Sequence, residues 1–330
     1  MATDLEERRQ PTDGQDRGRQ ATRPREVGVR GWLDALKRTR RAIRDTHASI
    51  VAAGVAFWAF VALVPALIAL VIVYGLVANP ADIKDQIASF ASAAPRDAQR
   101  LLTSQLTSIA RNGGGGAGIG ALIAIAGAIW AASSGMAALD TGLTIVNRET
   151  ETRGFLRRRL LALVLTVFAV IGVLLMLALV IALPPVLDSI GVGDLGKVAI
   201  GLARWVLLAA LLLFGLGIIF RYGPQRRRPR WRWITPGAIV AVVVGLAVSI
   251  GFSIYVTLMG NYNKTYGSLG AIIVLLLWLY FMAYAVLFGS AMNAELERQT
   301  ERDTTAGDER PQGGRGAYVA DTVGPTRREL

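Results

Sequence analysis

From Leu160 to Leu183 the chain carries no charged side chain, and the run ends at Pro184-Pro185. A helix of that length covers the roughly 30 Å of hydrocarbon in a bilayer at about 1.5 Å per residue. Five further apolar runs are long enough to do the same. They place the expected spans at about residues 49–78, 117–144, 160–183, 197–220, 235–259 and 268–293. Lipid offers the backbone no hydrogen-bond partner, so each run must satisfy its own amides as a helix. The fold class expected is therefore all-α, a polytopic membrane protein with about six transmembrane helices. With 53% hydrophobic and only 18% charged residues, the chain is more apolar than an ordinary soluble domain of its size.

A formal charge of +12 would by itself suggest nucleic acid as a partner, but the charges fall in the gaps between apolar runs. Lys and Arg number 12 in the first 48 residues, 5 in residues 147–159, 6 in residues 221–233 and 6 after Asn293. The alternate gaps hold Lys84, Arg96, Arg100 and Arg111 in the first, Lys197 in the second and Lys264 in the third. Basic loops stay inside, so both termini are expected in the cytoplasm of a bacterium and the spans in its inner (plasma) membrane. The first 48 residues lack an apolar core and a small-residue cleavage site. No cleavable leader is therefore expected, and the first span should be retained.

With no cysteine and His47 as the sole histidine, disulfides, thiolate chemistry and histidine-cluster metal sites are excluded. No metal, cofactor or catalytic residue is expected, and the chain is not read as an enzyme.

Residues 1–26 and 299–330 are polar and cannot bury an apolar core, which predicts disordered cytoplasmic tails on either side of a membrane domain at 27–298. Trp32, Leu36, Ile43 and His47 share one face of an N-terminal helix lying in the membrane interface. Residues 79–113 read as an outer helical hairpin. Ile83, Ile87 and Phe90 line one helix, and Leu102, Leu106 and Ile109 the other, after Pro95. Gly113–Gly116 reads as a hinge, because it lacks the strand and the Gly-Lys-Ser/Thr of a phosphate loop.

Polar groups at membrane depth are costly, and each is a candidate site. Asp140 either reaches interfacial water or an arginine partner, or carries a proton- or cation-linked role. Ser133 and Ser134, with Gly135, allow a neighbouring helix to approach and hydrogen-bond. Asn261, Tyr262, Asn263, Lys264 and Tyr266 crowd a short outer turn at 260–267. That turn is read either as turn and aromatic-belt chemistry or as a ligand or headgroup contact. Asn293 and Glu295 close the sixth span. Arg204, beside Trp205, is read as snorkelling. Pro65 should kink the first span and Pro236 begin the fifth.

Several of these segments together resemble the YihY/BrkB family of bacterial inner-membrane proteins, once named ribonuclease BN. The resemblance covers roughly residues 30–298. It rests on Ala56-Phe57 with Pro65, Trp130-Ala-Ala-Ser-Ser-Gly135, Glu151-Thr-Arg-Gly-Phe155, and Tyr222-Gly-Pro224 with Pro236-Gly237. Its longest block runs from Tyr262-Asn-Lys-Thr-Tyr-Gly-Ser-Leu-Gly270 through Leu277-Trp-Leu-Tyr280 to Asn293-Ala-Glu295. An acid frequent in the family's sixth span is Ala291 here. The asparagine and tyrosine that end its second span correspond to Thr144 and Asn147. The resemblance implies six spans in the plasma membrane and an association with the cell envelope, and it supplies no catalytic residue.

The functional expectation is transport or handling of a lipid or small amphiphile, with membrane lipids as partners and no specific nucleic acid. The alternative is a non-transporting scaffold whose basic cytoplasmic segments recruit partners. A ribonuclease would need several carboxylates or histidines converging on metal ions, which the sequence does not offer.

Overall fold

The computed structural model describes residues 17–77, 117–182, 194–258, 268–326 and 329. Among them the chain forms eight α-helices. These are α1 (Val29–Asp45), α2 (Ala48–Val77), α3 (Ala117–Val146), α4 (Phe155–Leu177), α5 (Asp194–Tyr222), α6 (Trp231–Leu258), α7 (Ser268–Glu297) and the short α8 (Tyr318–Asp321). A π-helical turn, Ala178–Ala182, continues α4. Helices α3 to α7 are long and apolar enough to cross a bilayer, and the bent pair of α1 and α2 brings the number to six. The expected hairpin at 79–113 and the turn residues Asn261, Tyr262, Asn263, Lys264 and Tyr266 lie outside the described residues.

The helices match the apolar runs, with two instructive shifts. α4 begins at Phe155, so Arg157, Arg158 and Arg159 belong to its first turns. α6 begins at Trp231, so Pro236 lies inside the helix rather than at its start. Pro236 is in the second turn of α6, where its missing amide leaves a carbonyl of the first turn without its intrahelical donor.

α1 and α2 meet at a 67° bend, with His47 in left-handed backbone at φ 49°. The buried face of α1 differs from the apolar face expected. Gly31, Asp34, Ala35, Arg38, Thr39, Ala42 and Ile43 face the protein, whereas Leu33 and Leu36 are exposed. The bundle takes the small and ion-paired side chains of α1, and the leucines turn outward beside Lys37, Arg40 and Arg41. That division suits a helix at the edge of the hydrocarbon.

The centre of the bundle is α2, α3, α6 and α7. Its core is rich in alanine: Ala48, Ala52, Ala238, Ala241, Ala283 and Ala291 surround Val55, Leu143, Ile234 and Leu287. Without a hydrophobic drive between helices in lipid, small residues allow the close backbone approach that gives dispersion its grip. Gly135 illustrates this, since a Cβ there would meet Ala62, Ala59 and the Trp58 carbonyl of α2 at 3.2–3.4 Å. Helices α4 and α5 stand at the periphery, and their spanning windows are almost wholly uncovered by the rest of the chain. Phe168, Ile171, Leu202 and Val206 are all more than half exposed, as hydrocarbon-facing side chains should be.

The two terminal segments correct the expectation of disordered tails, as far as they are described. Residues 17–27 fold over α1, where Arg17 binds Asp34 at 2.8 Å and Ala21 and Val27 join Trp233, Met292 and Leu296 in a satellite core. Residues 299–326 strap across the same end of the bundle. Arg230 and Ala306 amides donate to the Thr304 and Arg228 carbonyls at 2.9 and 2.8 Å, and the Arg227 amide donates to the Gly316 carbonyl at 2.9 Å. The segments also meet each other, since the Glu301 amide donates to the Arg19 carbonyl at 2.8 Å. Their order comes from ion pairs and backbone bonds to loops already fixed by the bundle, so a polar composition does not prevent it.

Candidate functional site at the basic end of the bundle

Asp140 lies near the end of α3 and is 1% exposed. Arg153, from the α3–α4 loop, donates through Nη2 to Asp140 Oδ2 at 3.1 Å. The same guanidinium donates to Glu151 Oε2 at 2.6 Å, through Nε to Glu151 Oε1 at 2.8 Å, and through Nη2 to the Gly223 carbonyl at 3.1 Å. One arginine thus ties α3, its own loop and the end of α5 together. Among the described residues Asp140 Oδ1 has no hydrogen-bond partner. Gly223 closes over that oxygen: a Cβ there would stand 3.0 Å from it. The glycine of Tyr222-Gly-Pro224 therefore gives the chain room to pass the buried carboxylate.

Around this centre the loops interlock. Thr144 Oγ1 donates to the Asp140 carbonyl at 2.9 Å and accepts the Gln225 amide at 3.3 Å. Gln225 Nε2 donates to Thr152 Oγ1 at 2.6 Å. The Arg153 guanidinium holds the Glu151 carboxyl below the usual carboxylate range, overcoming the opposing effect of partial burial. Glu149 moves the other way, because burial pushes it up more than the Tyr318 amide bond at 2.7 Å brings it down.

Ser133 is buried, and its hydroxyl donates to the Trp130 carbonyl at 2.6 Å within α3. Ser134 Oγ accepts from Arg159 Nη1 at 3.4 Å. Arg159 also donates to the Trp130 carbonyl at 2.6 Å and lies over the Trp130 ring at 4.4 Å. Arg158 donates to Thr141 Oγ1 at 2.7 Å. The first turns of α4 are thereby stitched along α3 on either side of Asp140. Asn293 and Glu295 occupy a second, separate group on α7. Asn293 bonds the backbone of α6, and Glu295 binds Arg38 and Arg298, each at 2.9 Å.

Sequence reading singled out Asp140 but not its partner. The nearer arginine, Arg148, pairs instead with Asp45 at 3.4 Å. It also missed Glu297, whose carboxylate is buried against Arg226 and accepts from Thr304 Oγ1 at 2.9 Å. An acid in the last turn of an apolar helix, facing an arginine-rich loop, was the available signal. Asn147, read only through the family pattern, donates to Ser290 Oγ at 2.9 Å between α3 and α7. Arg204 lies against Trp205, with its guanidinium 5.7 Å from the ring centre. Among the described residues no three His, Cys, Asp or Glu side chains converge in a way that could hold a metal ion.

Six apolar helices with buried polar joints between them define a multi-pass α-helical membrane protein. The chain belongs to the family described as Virulence factor BrkB, whose pattern matches residues 39–313. Among curated relatives, the "Putative ribonuclease-like protein YfkH" of Bacillus subtilis (strain 168) is 32% identical over 215 residues, covering 62% of this chain and 75% of that protein. The "UPF0761 membrane protein Smlt0865" of Stenotrophomonas maltophilia (strain K279a) is 33% identical over 100 residues, which is 28% of this chain and 23% of that protein. A "UPF0761 membrane protein" of Xanthomonas oryzae pv. oryzae (strain PXO99A) is 35% identical over 79 residues, or 24% of this chain and 18% of that protein. The chain therefore matches about a quarter or less of the length of these two UPF0761 relatives. No solved structure matches it.

Proposed function

We propose that the protein transports or otherwise handles a lipid or small amphiphile in the bacterial plasma membrane, with its basic end in the cytoplasm. The observation that carries this reading is the position of Asp140. A wholly buried carboxylate, matched by Arg153 through one oxygen and unmatched at the other, sits where the uncovered helices α4 and α5 join the central bundle. Buried charge at membrane depth is expensive, and its usual use is in substrate or proton pathways. Two apolar helices exposed along their length, rooted at such a centre, suit a molecule with a greasy part and a polar part. Orientation follows the excess of Lys and Arg at this end.

Two other readings draw less support. A scaffold recruiting partners through its basic cytoplasmic segments draws less support from arginines already engaged inside the protein, as Arg17, Arg38, Arg226 and Arg298 are. The ribonuclease-like name belongs to the Bacillus relative. Metal-assisted phosphodiester cleavage needs convergent ligands, and the described residues bring no such group together.

The test is reconstitution of the full chain into liposomes carrying fluorescent phospholipids or amphiphilic dyes, with and without a proton gradient. Movement of one class by the wild-type protein, lost in Asp140→Asn while the protein still elutes as a folded species, is the expected result. Absence of movement for every class under every gradient would overturn the proposal.

A further inference from the structure

Several arginines at the basic end are neutralised by carboxylates. Arg17, Arg38, Arg153 and Arg298 each bind a carboxylate at 3.1 Å or less, Arg226 binds Glu297, and Arg227 and Arg230 reach Asp303 and Glu309 at 4.0 and 3.9 Å. Arg221 and Arg228 are not, and both flank the α5–α6 junction on aromatic rings. Among the described residues neither has a carboxylate or carbonyl partner, and the buried Nε of Arg221 has no acceptor.

Both rest on aromatic rings instead. The Arg221 guanidinium lies 4.9 Å from the centre of Trp231 and 5.8 Å from that of Tyr222, and Arg228 lies 4.6 Å from Tyr222. On the same side of the α5–α6 junction, Phe214 stacks on Trp231 with centres 5.8 Å apart and planes 10° from parallel. The result is a ladder of Phe214, Trp231, Arg221, Tyr222 and Arg228. Gly217 is what seats it, since a Cβ there would stand 2.9 Å from the Trp231 ring.

The ladder runs from hydrocarbon to water. Phe214 lies two helical turns before Arg221, about 10 Å deeper along α5. Phe214 and Trp231 are 57% and 41% exposed, so both leave apolar ring surface open to whatever surrounds the protein. Cation–π contacts hold each guanidinium extended without neutralising it.

We propose that this ladder binds one anionic diacyl phospholipid of the surrounding leaflet, its phosphate at the arginine end, against the exposed Arg228 and drawn by the charge of Arg221, and its acyl chains along Trp231 and Phe214. Two cations without counter-charge select an anion. The exposed rings on the same ladder select one that carries acyl chains, for which a soluble phosphate has no use. The site holds a resident lipid whether or not the protein moves lipid elsewhere, so it stands apart from the transport reading.

Native mass spectrometry of the full-length protein, titrated with phosphatidylglycerol or phosphatidylcholine, tests it. Phosphatidylglycerol should remain bound, and Arg228→Gln should weaken it by about tenfold, the scale of one charge-assisted contact. Arg221→Gln/Arg228→Gln should weaken it further. Removing the same charge by Arg40→Gln/Arg41→Gln, on the exposed face of α1, should leave it unchanged. Arg228 is exposed, so its single variant keeps the test valid if the double variant does not fold. Brominated phosphatidylglycerol should quench tryptophan emission in the wild type, and less in Trp231→Phe. Equal retention of phosphatidylcholine, equal loss in the α1 control, displacement by inorganic phosphate alone, or quenching unchanged in Trp231→Phe would each overturn the proposal.

Discussion

Asn293 completes the backbone of a helix that is not its own: its Oδ1 accepts the Gly237 amide at 2.6 Å, and its Nδ2 donates to the Ile234 carbonyl at 2.9 Å. Pro236, between those two residues, has no amide, and its ring loosens the first turns of α6. Asn293 fills that gap from α7. A side chain on Gly237 would collide with the Gly289 carbonyl and with Asn293 itself, so the two helices cross backbone to backbone here.

Gly237→Ala should therefore destabilise the bundle by about 1–3 kcal/mol through overpacking. Asn293→Ala should cost a similar amount, about 1–3 kcal/mol, chiefly by taking the acceptor from the buried Gly237 amide. The survival of monodisperse protein after heating in detergent measures both. A wild-type melting point for Gly237→Ala would mean that the crossing is looser than described.

Arg38 and Glu295 form a buried ion pair at 2.9 Å, each side chain 3% exposed, and Arg38 also donates to the Glu295 carbonyl and to Gln299 Oε1. Removing one member leaves the other charge buried, which costs about 3–5 kcal/mol. Glu295→Gln should be the worse variant, since it strips both Arg38 and Arg298 of a counter-ion. Arg38→Met combined with Glu295→Leu should recover much of the loss, and strictly additive effects of the two substitutions would count against direct coupling.

The six spans were legible because each is a long run that only hydrocarbon can surround. The polar joints were not, because they join residues far apart in the chain: Arg38 with Glu295, Asn147 with Ser290, and Arg226 with Glu297. Asp140 stood out as an acid in an apolar helix, but its arginine partner, Arg153, stands in the following loop, whose path the sequence does not give. The terminal segments were misread for a related reason. Their charges look solvated when counted alone, but Arg17 and Arg315 are each only 8% and 6% exposed once the bundle supplies partners. Small residues were the most faithful guide, since Gly135 and Gly237 lie where helices touch.

Acid should loosen the joint of Arg153 and Glu151. Glu151 titrates below its usual 4.5 in the folded protein because Arg153 stabilises the carboxylate. Its contribution is present above the unfolded value and is lost as pH falls through the lower folded one. Glu149 has the opposite sign: burial raises it, so its contribution is present below 4.5 and lost as pH rises through the higher folded value. Protection factors of the amides in residues 147–153, corrected for the intrinsic pH dependence of exchange and followed on both sides of pH 4.5, should fall on acidification in the wild type. Glu151→Gln should flatten that limb, and an unchanged acid limb in the variant would refute the assignment.

The strap at 299–326 should behave as a separable unit laid over a finished bundle. Arg315 is its latch, donating to the Glu301 and Ala320 carbonyls at 2.7 Å each and to the Arg310 carbonyl at 3.2 Å. Without it the loop of α8 loses its hold on the chain that pairs with residues 227–230. Arg315→Ala should therefore raise amide exchange at Arg227 and Arg230, whose amides donate to Gly316 and Thr304, while α3, α6 and α7 stay protected. Deleting residues 302–330 should do the same and more, since it also frees the Glu297 carboxylate from Thr304. If both variants left exchange at Arg227 and Arg230 unchanged, the α5–α6 loop would be holding itself. The terminal segment would then be a passenger rather than a strap.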